Sequence, residues 1–154
     1  MARVNTRSST FVIFSGADLR AKLQSLLAAL WVGDLWVTGF IVAPSLFDML
    51  DRVQAGAVAA RLFLISHVVS AVCGAALLLL RRRWDRVQSI VVAMLAVAAA
   101  IYLFVTPAME AARLQSAVAF ARWHGLAGLL FVANALLGAA LVWQLAGART
   151  GMQP

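Results

Sequence analysis

Asp34, His67 and His124 are ionisable side chains that lie inside long apolar stretches of the sequence. A charged carboxylate at the centre of a membrane helix costs about 2.5 to 3.5 kcal/mol on insertion scales, so Asp34 needs a partner or a proton. Thr38 follows one helical turn later on the same side. The pair predicts a proton or cation site, and the alternative is a hydrogen-bonded carboxyl that only fixes helix packing.

His67 and His124 are the only histidines, and each lies near the predicted outer end of an apolar stretch. Small residues such as Gly74 and Gly128 share their helix faces, which would let the helices approach closely or leave room for a flat cofactor. Two imidazoles are suitable ligands for haem b or a transition metal. The alternative is two unrelated interfacial histidines, because two ligands without a cysteine or carboxylate cluster form a weak metal signature.

Other polar residues fall at two depths. Asn134 lies deep within an apolar stretch and is predicted to form a hydrogen bond between helices. Ser70 lies on the same helix face as His67, where it could accept a hydrogen bond from that histidine. A second group lies near the predicted outer interface, where it would form either an entry site for an ion or anionic ligand or a set of helix ends reaching for water. Its members are Arg61, Glu110, Arg113 and Arg122.

The elements that must position these residues are membrane helices. Of the 154 residues, 64% are hydrophobic and 12% are charged, which is outside the range of soluble domains. Helices of about 20 apolar residues cross the hydrocarbon core. The sequence predicts an all-α integral membrane four-helix bundle in residues 21–146, between tails at 1–20 and 147–154, with spans at about 23–43, 62–80, 87–105 and 120–145.

The two predicted outer loops have helical patterns of their own. Apolar residues recur at helical spacing between Leu46 and Val53, and the segment from Ala108 to Ala119 favours helix. Short helical extensions are therefore expected in both loops. Pro107 lacks a backbone N–H and disfavours helical geometry in the preceding residue, so it predicts the end of the third helix.

The 13 Lys and Arg residues lie mostly beside the ends of the spans. Cytoplasmic loops are rich in such residues, and nine on one side against four on the other predict that both termini are cytoplasmic. The inner, or plasma, membrane is the expected location. A net charge of +7 does not indicate nucleic-acid binding, because the basic residues mark span ends rather than a soluble basic surface. The cytoplasmic set is Arg3, Arg7, Arg20, Lys22, Arg81, Arg82, Arg83, Arg86 and Arg149, and the outer set is Arg52, Arg61, Arg113 and Arg122.

Several short pieces together resemble the transmembrane protein 205-like family of uncharacterised four-span membrane proteins. The resemblance implies that Pro44, Arg61, Glu110 and His124 match family motifs. Asp34 stands where a small residue is expected, and His67 lies outside the matching pieces. Copper-resistance D membrane proteins are similar in layout, which implies metal handling only by analogy. The pieces are Leu30-Trp31-Val32-Gly33, Gly39-Phe40-Ile41-Val42-Ala43-Pro44 with Leu46-Phe47, Gly56-Ala57-Val58-Ala59-Ala60-Arg61-Leu62-Phe63, Pro107-Ala108-Met109-Glu110 and Trp123-His124-Gly125.

These features lead to three functional hypotheses. The first is a non-enzymatic accessory protein for transport, assembly or quality control, which works with a membrane-protein partner or as a homo-oligomer in the lipid bilayer. The second is a haem or transition-metal protein that uses His67 and His124. The third is proton or cation conduction through Asp34, which four thin helices would support only by splaying or oligomerising.

Overall fold

The computed structural model describes residues 16–81 and 84–150, and they form six α-helices and two short π-helical segments. Arg3, Arg7, Arg82, Arg83 and the outer ends of both predicted tails lie outside the described residues. The α-helices are α1 (Gly16–Trp36), α2 (Ala43–Met49), α3 (Arg52–Leu80), α4 (Arg86–Ala100), α5 (Thr106–Arg113) and α6 (Ala117–Thr150).

Four continuous helical stretches are long and apolar enough to cross a membrane, which confirms the predicted all-α membrane bundle with short helical extensions. Contacts join α1 to α3, α3 to α4, α4 to α6 and α6 to α1. Because consecutive spans are joined by short turns, the four form a ring in which each is antiparallel to its neighbours. The stretches are Gly16–Met49, Arg52–Leu80, Arg86–Arg113 and Ala117–Gly147.

Aspartates fix where the second and third spans begin. The carboxylate of Asp51 accepts hydrogen bonds from the backbone N–H groups of Val53 and Gln54, at 2.9 and 3.0 Å. Asp85 accepts from the backbone N–H of Gln88 at 3.0 Å. Such N-caps satisfy donors that the first helical turn leaves without partners.

The first and third spans each contain a π-helical segment just before a proline. These segments are Val37–Val42 before Pro44 and Ile101–Val105 before Pro107. The prediction that Pro107 ends the third helix is wrong, because Thr106 is helical and α5 continues the span. The wider turn provides the reason: the carbonyl oxygen of Ile101 accepts both the backbone N–H and, at 3.0 Å, the hydroxyl of Thr106.

Apolar side chains fill the inner part of the ring and cover its outside. Large side chains such as Leu79, Phe104 and Trp143 are 84%, 71% and 80% exposed, and side chains of this kind belong in hydrocarbon rather than water. The four spans therefore require a lipid environment. The buried core comprises Ala28, Trp31, Leu35, Cys73, Leu77, Val87, Val91, Met94, Leu141 and Leu145.

Candidate functional site

A cavity of about 20 Å³ lies between the four spans. Its polar lining comes from Ser66, His67 and Ser70 on α3 and from Asn134 on α6. Ser66, Ser70 and Asn134 are each at most 3% exposed. Helical spacing explains the α3 contribution, because positions 66, 67 and 70 project from one side of a helix. The structure thus brings three of the sequence-predicted polar residues, His67, Ser70 and Asn134, to one place.

Two neighbours of this cavity were missed by the sequence analysis. The Nε1–H group of the fully buried Trp31 donates a 2.8 Å hydrogen bond to Oγ of Ser70. Ser66 precedes Ser70 by one helical turn, and this spacing could have indicated it. The contact of Trp31 was harder to predict, because the sequence does not show which acceptor a buried indole N–H will bond.

His67 lies in the cavity wall, and a hydrogen bond within α3 holds its ring. Its Nδ1 hydrogen-bonds the backbone carbonyl oxygen of Phe63. A carbonyl oxygen only accepts, so Nδ1 carries a hydrogen in this contact. The ring also packs against Tyr102 on the third span, with ring centres 5.5 Å apart.

Aromatic side chains close one side of the cavity. Phe131 lies in its wall, and its ring makes edge contacts with Phe40 and Phe63 at centre distances of 5.7 and 5.8 Å. Gly39 gives Phe131 its space, because a β-carbon at Gly39 would lie 2.1 Å from the tip of the ring. The first π-helical segment, which contains Gly39, therefore positions the wall of the cavity.

Asp34 on α1 and Thr38 in the first π-helical segment form a separate polar pair, outside the cavity lining. The Thr38 hydroxyl donates to Oδ1 of Asp34 at 3.5 Å, which is a long bond. Oδ2 is buried and has no hydrogen-bond partner among the described residues. Thr38 is buried, whereas the Asp34 residue as a whole is partly exposed. The carboxyl is thus only partly satisfied by its own chain.

A chain of contacts joins α5 to α6. It includes His124 and two of the four charged residues that were predicted to lie at the outer interface, Glu110 and Arg113. Glu110 pairs with Arg113 at 3.8 Å. The Arg113 guanidinium lies 5.2 Å from the ring centre of Phe120, and that ring stacks on His124 at 5.7 Å. Both charged partners are more than half exposed, so the pair contributes little to stability.

Arg61, Arg122 and Pro44 lie outside this chain of contacts. The arginine residues are exposed, on α3 and α6 respectively. Pro44 lies in the first turn of α2, directly after the first π-helical segment. The motif-matching residues are therefore spread over the half of the molecule that the sequence predicts to face outward.

The geometry gives little support to a haem or metal site at His67 and His124. His67 lines the central cavity, whereas His124 is exposed and stacks on its own helix. A volume of about 20 Å³ is far too small for a porphyrin. No cluster of three or more His, Cys, Asp or Glu side chains that could hold a metal ion occurs within residues 16–81 and 84–150.

A polar network that the sequence analysis also missed links α1 to the turn between α3 and α4. Arg81 donates to Oε1 of Gln24 at 3.1 Å and pairs with Asp85. Burial acts to raise the pKa of Asp85, but hydrogen bonds from Arg81 and from the backbone of Gln88 and Val87, with the Arg81 charge, lower it below its ordinary value. This network connects the turn between α3 and α4 to the first span.

A family model described as a domain of unknown function (DUF4149) matches residues 26–118. The chain belongs to the DUF4149 family. The DUF4149 match contains the first π-helical segment, all of α3 to α5 and the cavity residues of α3. Searches of curated proteins and of solved structures gave no significant match. The family match therefore agrees with a multi-pass membrane fold and gives no activity that could be transferred to this chain.

Proposed function

We propose that this chain is a non-enzymatic accessory protein of the inner membrane that binds another membrane-embedded protein and so assists transport, assembly or quality control. The observation that carries the proposal is the Asp34 carboxyl, which has one long bond from Thr38 and one oxygen without a partner among the described residues. A carboxyl at this depth requires hydrogen-bond donors. A partner helix that presents a donor there would supply one.

The surface beside Asp34 suits close approach by a helix. Gly33 is exposed, and a β-carbon placed on it meets no atom within 4 Å. Leu30 and Val37, on the same side of the first span, are 55% and 48% exposed. Small residues let membrane helices pack closely. Rotation of the partly exposed Asp34 carboxyl about its broad terminal torsion would direct an oxygen towards the partner.

We further propose how the chain is oriented in the membrane and to which group of proteins it is related. The excess of basic residues at one end of the spans supports cytoplasmic N- and C-termini. We also assign this DUF4149 protein to the transmembrane protein 205-like group. Most of the motif pieces that carry that resemblance, from Leu30 to Phe63 and from Pro107 to Glu110, fall within the matched residues 26–118.

Conduction through Asp34 is the less favoured alternative. Leu77, Met94 and Leu141 are fully buried, and they fill the bundle between the level of Asp34 and the cytoplasmic ends of the spans. An ion would have to cross this apolar layer without hydrogen-bonding partners, which is energetically costly. Haem or metal binding by His67 and His124 is also less favoured, because the two rings have different surroundings.

Photo-crosslinking in native membranes tests the proposal. A photoreactive amino acid at position 30 or 37 should give a discrete adduct whose mass identifies the partner. Asp34→Leu removes the carboxyl, and Gly33→Leu adds bulk outside the bundle; each should reduce the adduct at least tenfold if about 1.4 kcal/mol of binding is lost.

Gly128→Leu is the matched control, because Gly128 is exposed on α6 and a β-carbon there also meets nothing within 4 Å. This variant should keep the adduct. An adduct of twice the chain mass would identify a second copy as the partner. Failure to form an adduct at either position, or equal yields in all variants, would contradict the proposal. Proton flux in vesicles that Asp34→Asn abolishes would favour conduction instead.

A further inference from the structure

The central cavity contains hydrogen-bonding groups that the protein itself does not satisfy. Oγ of Ser66 and Oδ1 of Asn134 are both buried and lack a hydrogen-bond partner within the described residues. These residues are 3% and 2% exposed, so bulk water does not reach them. Unsatisfied buried groups of this kind are costly and call for an occupant that bonds to both.

The chemistry of the lining defines that occupant. The Asn134 oxygen accepts hydrogen bonds, the Ser66 hydroxyl can both donate and accept, and the His67 ring adds a further polar group to the lining. Ser70 Oγ already accepts from Trp31. The occupant must therefore donate at least one hydrogen bond and be able to accept another. No carboxylate lines the cavity in the described structure, so its lining offers no counter-charge for a metal cation.

Size narrows the choice further. A buried water needs roughly 10–15 Å³ of such space and two to four polar partners. The cavity provides about 20 Å³, with Ser66, Asn134 and His67 as partners. Apolar walls from Leu35, Ala98 and Phe131 surround these groups. The space thus fits one water molecule and leaves no room for a larger solute.

We propose that this cavity is a binding site for a single water molecule, which joins Ser66 and His67 on α3 to Asn134 on α6 in the middle of the membrane. The water donates to the Asn134 oxygen, accepts from the Ser66 hydroxyl and directs its other hydrogen towards His67. α3 and α6 lie on opposite sides of the ring, so the water links two helices that each pack against α1 and α4. The proposal rests on the cavity alone and does not depend on a partner at Asp34.

A high-resolution structure of the full chain in lipid nanodiscs provides the first test. Density for one water should lie within hydrogen-bond distance of Ser66 and Asn134, and it should disappear in Asn134→Leu, whose side chain has the same branching but no hydrogen-bonding atoms. Density that changes with the cation in the buffer would show an ion and would overturn the proposal. A cavity without density would overturn it as well.

A double-mutant cycle provides the second test. Ser66→Ala and Asn134→Leu, each made alone, should change the folding equilibrium constant by amounts that do not add in the double variant, because both act on one water. We expect a coupling of about threefold or more. Ser45→Ala is the control, since Ser45 is exposed and bonds only within its own helix. Additive effects of Ser66→Ala and Asn134→Leu would contradict a shared water even if each variant folds less well.

Discussion

The indole nitrogen of Trp31 donates a 2.8 Å hydrogen bond to the hydroxyl of Ser70, and this bond joins the first span to the second inside the hydrocarbon region. Both side chains are buried, at 0% and 2% exposed. A large aromatic side chain thus fills the bundle centre while its only polar atom is satisfied. This contact also fixes the rotation of α3 that turns Ser66 and His67 towards the cavity.

Ser70→Ala should destabilise the protein by about 1 kcal/mol, because it leaves a buried N–H without an acceptor. Unfolding in mixed micelles, followed by tryptophan fluorescence, measures the change. The same substitution should cost less in a Trp31→Phe background, where the donor is gone. Ser89→Ala, which removes an exposed hydroxyl bonded to the backbone carbonyl of the capping residue Asp85, should have no comparable effect. Equal costs of Ser70→Ala in both backgrounds would show that the hydrogen bond contributes nothing.

Gly39→Ala should destabilise the bundle by about 1 to 3 kcal/mol, as overpacking does. The new methyl group would lie 2.1 Å from the Phe131 ring, which Phe40 and Phe63 hold in place. Phe131→Leu removes the clashing ring atoms and should recover part of the loss in the double variant. Thermal denaturation in detergent provides the measurement.

Gly125→Ala is the control for that substitution, because a β-carbon there meets nothing within 4 Å. Alanine favours helix over glycine by up to about 1 kcal/mol, so this variant should be neutral or slightly more stable. If Gly39→Ala behaves in the same way, Phe131 is not confined as the structure indicates.

The existence of the four spans could be predicted from the sequence because long apolar runs with charged ends have few other folded states. The position at which the third helix ends could not be predicted in this way. Proline removes one N–H, but a π-helical turn and the Thr106 hydroxyl satisfy the Ile101 carbonyl. Whether a helix ends or widens at proline depends on such local hydrogen bonds, and the residue types alone do not decide it.

The candidate site was predictable only in its parts. Ser70, His67 and Asn134 were recognisable because polar side chains in apolar spans need partners. Their meeting at one cavity depends on how α3 and α6 rotate about their axes, which contacts such as Trp31 to Ser70 determine. His124 illustrates the same limit: its depth suggested a pair with His67, yet it stacks on Phe120.

Asp85 should make stability depend on pH in the acidic range. Its pKa is lowered in the folded protein, so the stabilisation is fully present above its unfolded pKa of about 3.9 and is lost as pH falls through the folded pKa. The side chain is 41% exposed and its partner Arg81 is 19% exposed, so solvent screening limits the effect to at most about 1 kcal/mol.

Asp85→Asn isolates this charge effect, because asparagine also caps helices well. Unfolding measured between about pH 5 and about pH 2 should show a weaker loss of stability in the variant than in the wild-type protein. Asp48→Asn removes the same charge from an exposed position in α2 and should leave the slope unchanged. An unchanged slope in Asp85→Asn would mean that the Arg81 contact does not form in the membrane.

Single-cysteine labelling should test the orientation. Cys73 is the only cysteine and is buried, so Cys73→Ala provides a background without thiols. Leu114 is 91% exposed between α5 and α6, and Trp84 is 73% exposed between α3 and α4. In that background, Leu114→Cys should react with a membrane-impermeant maleimide in intact cells, and Trp84→Cys should react only after the membrane is opened. The reverse pattern would place both termini outside, and it would show that the excess of basic residues does not set the topology of this chain.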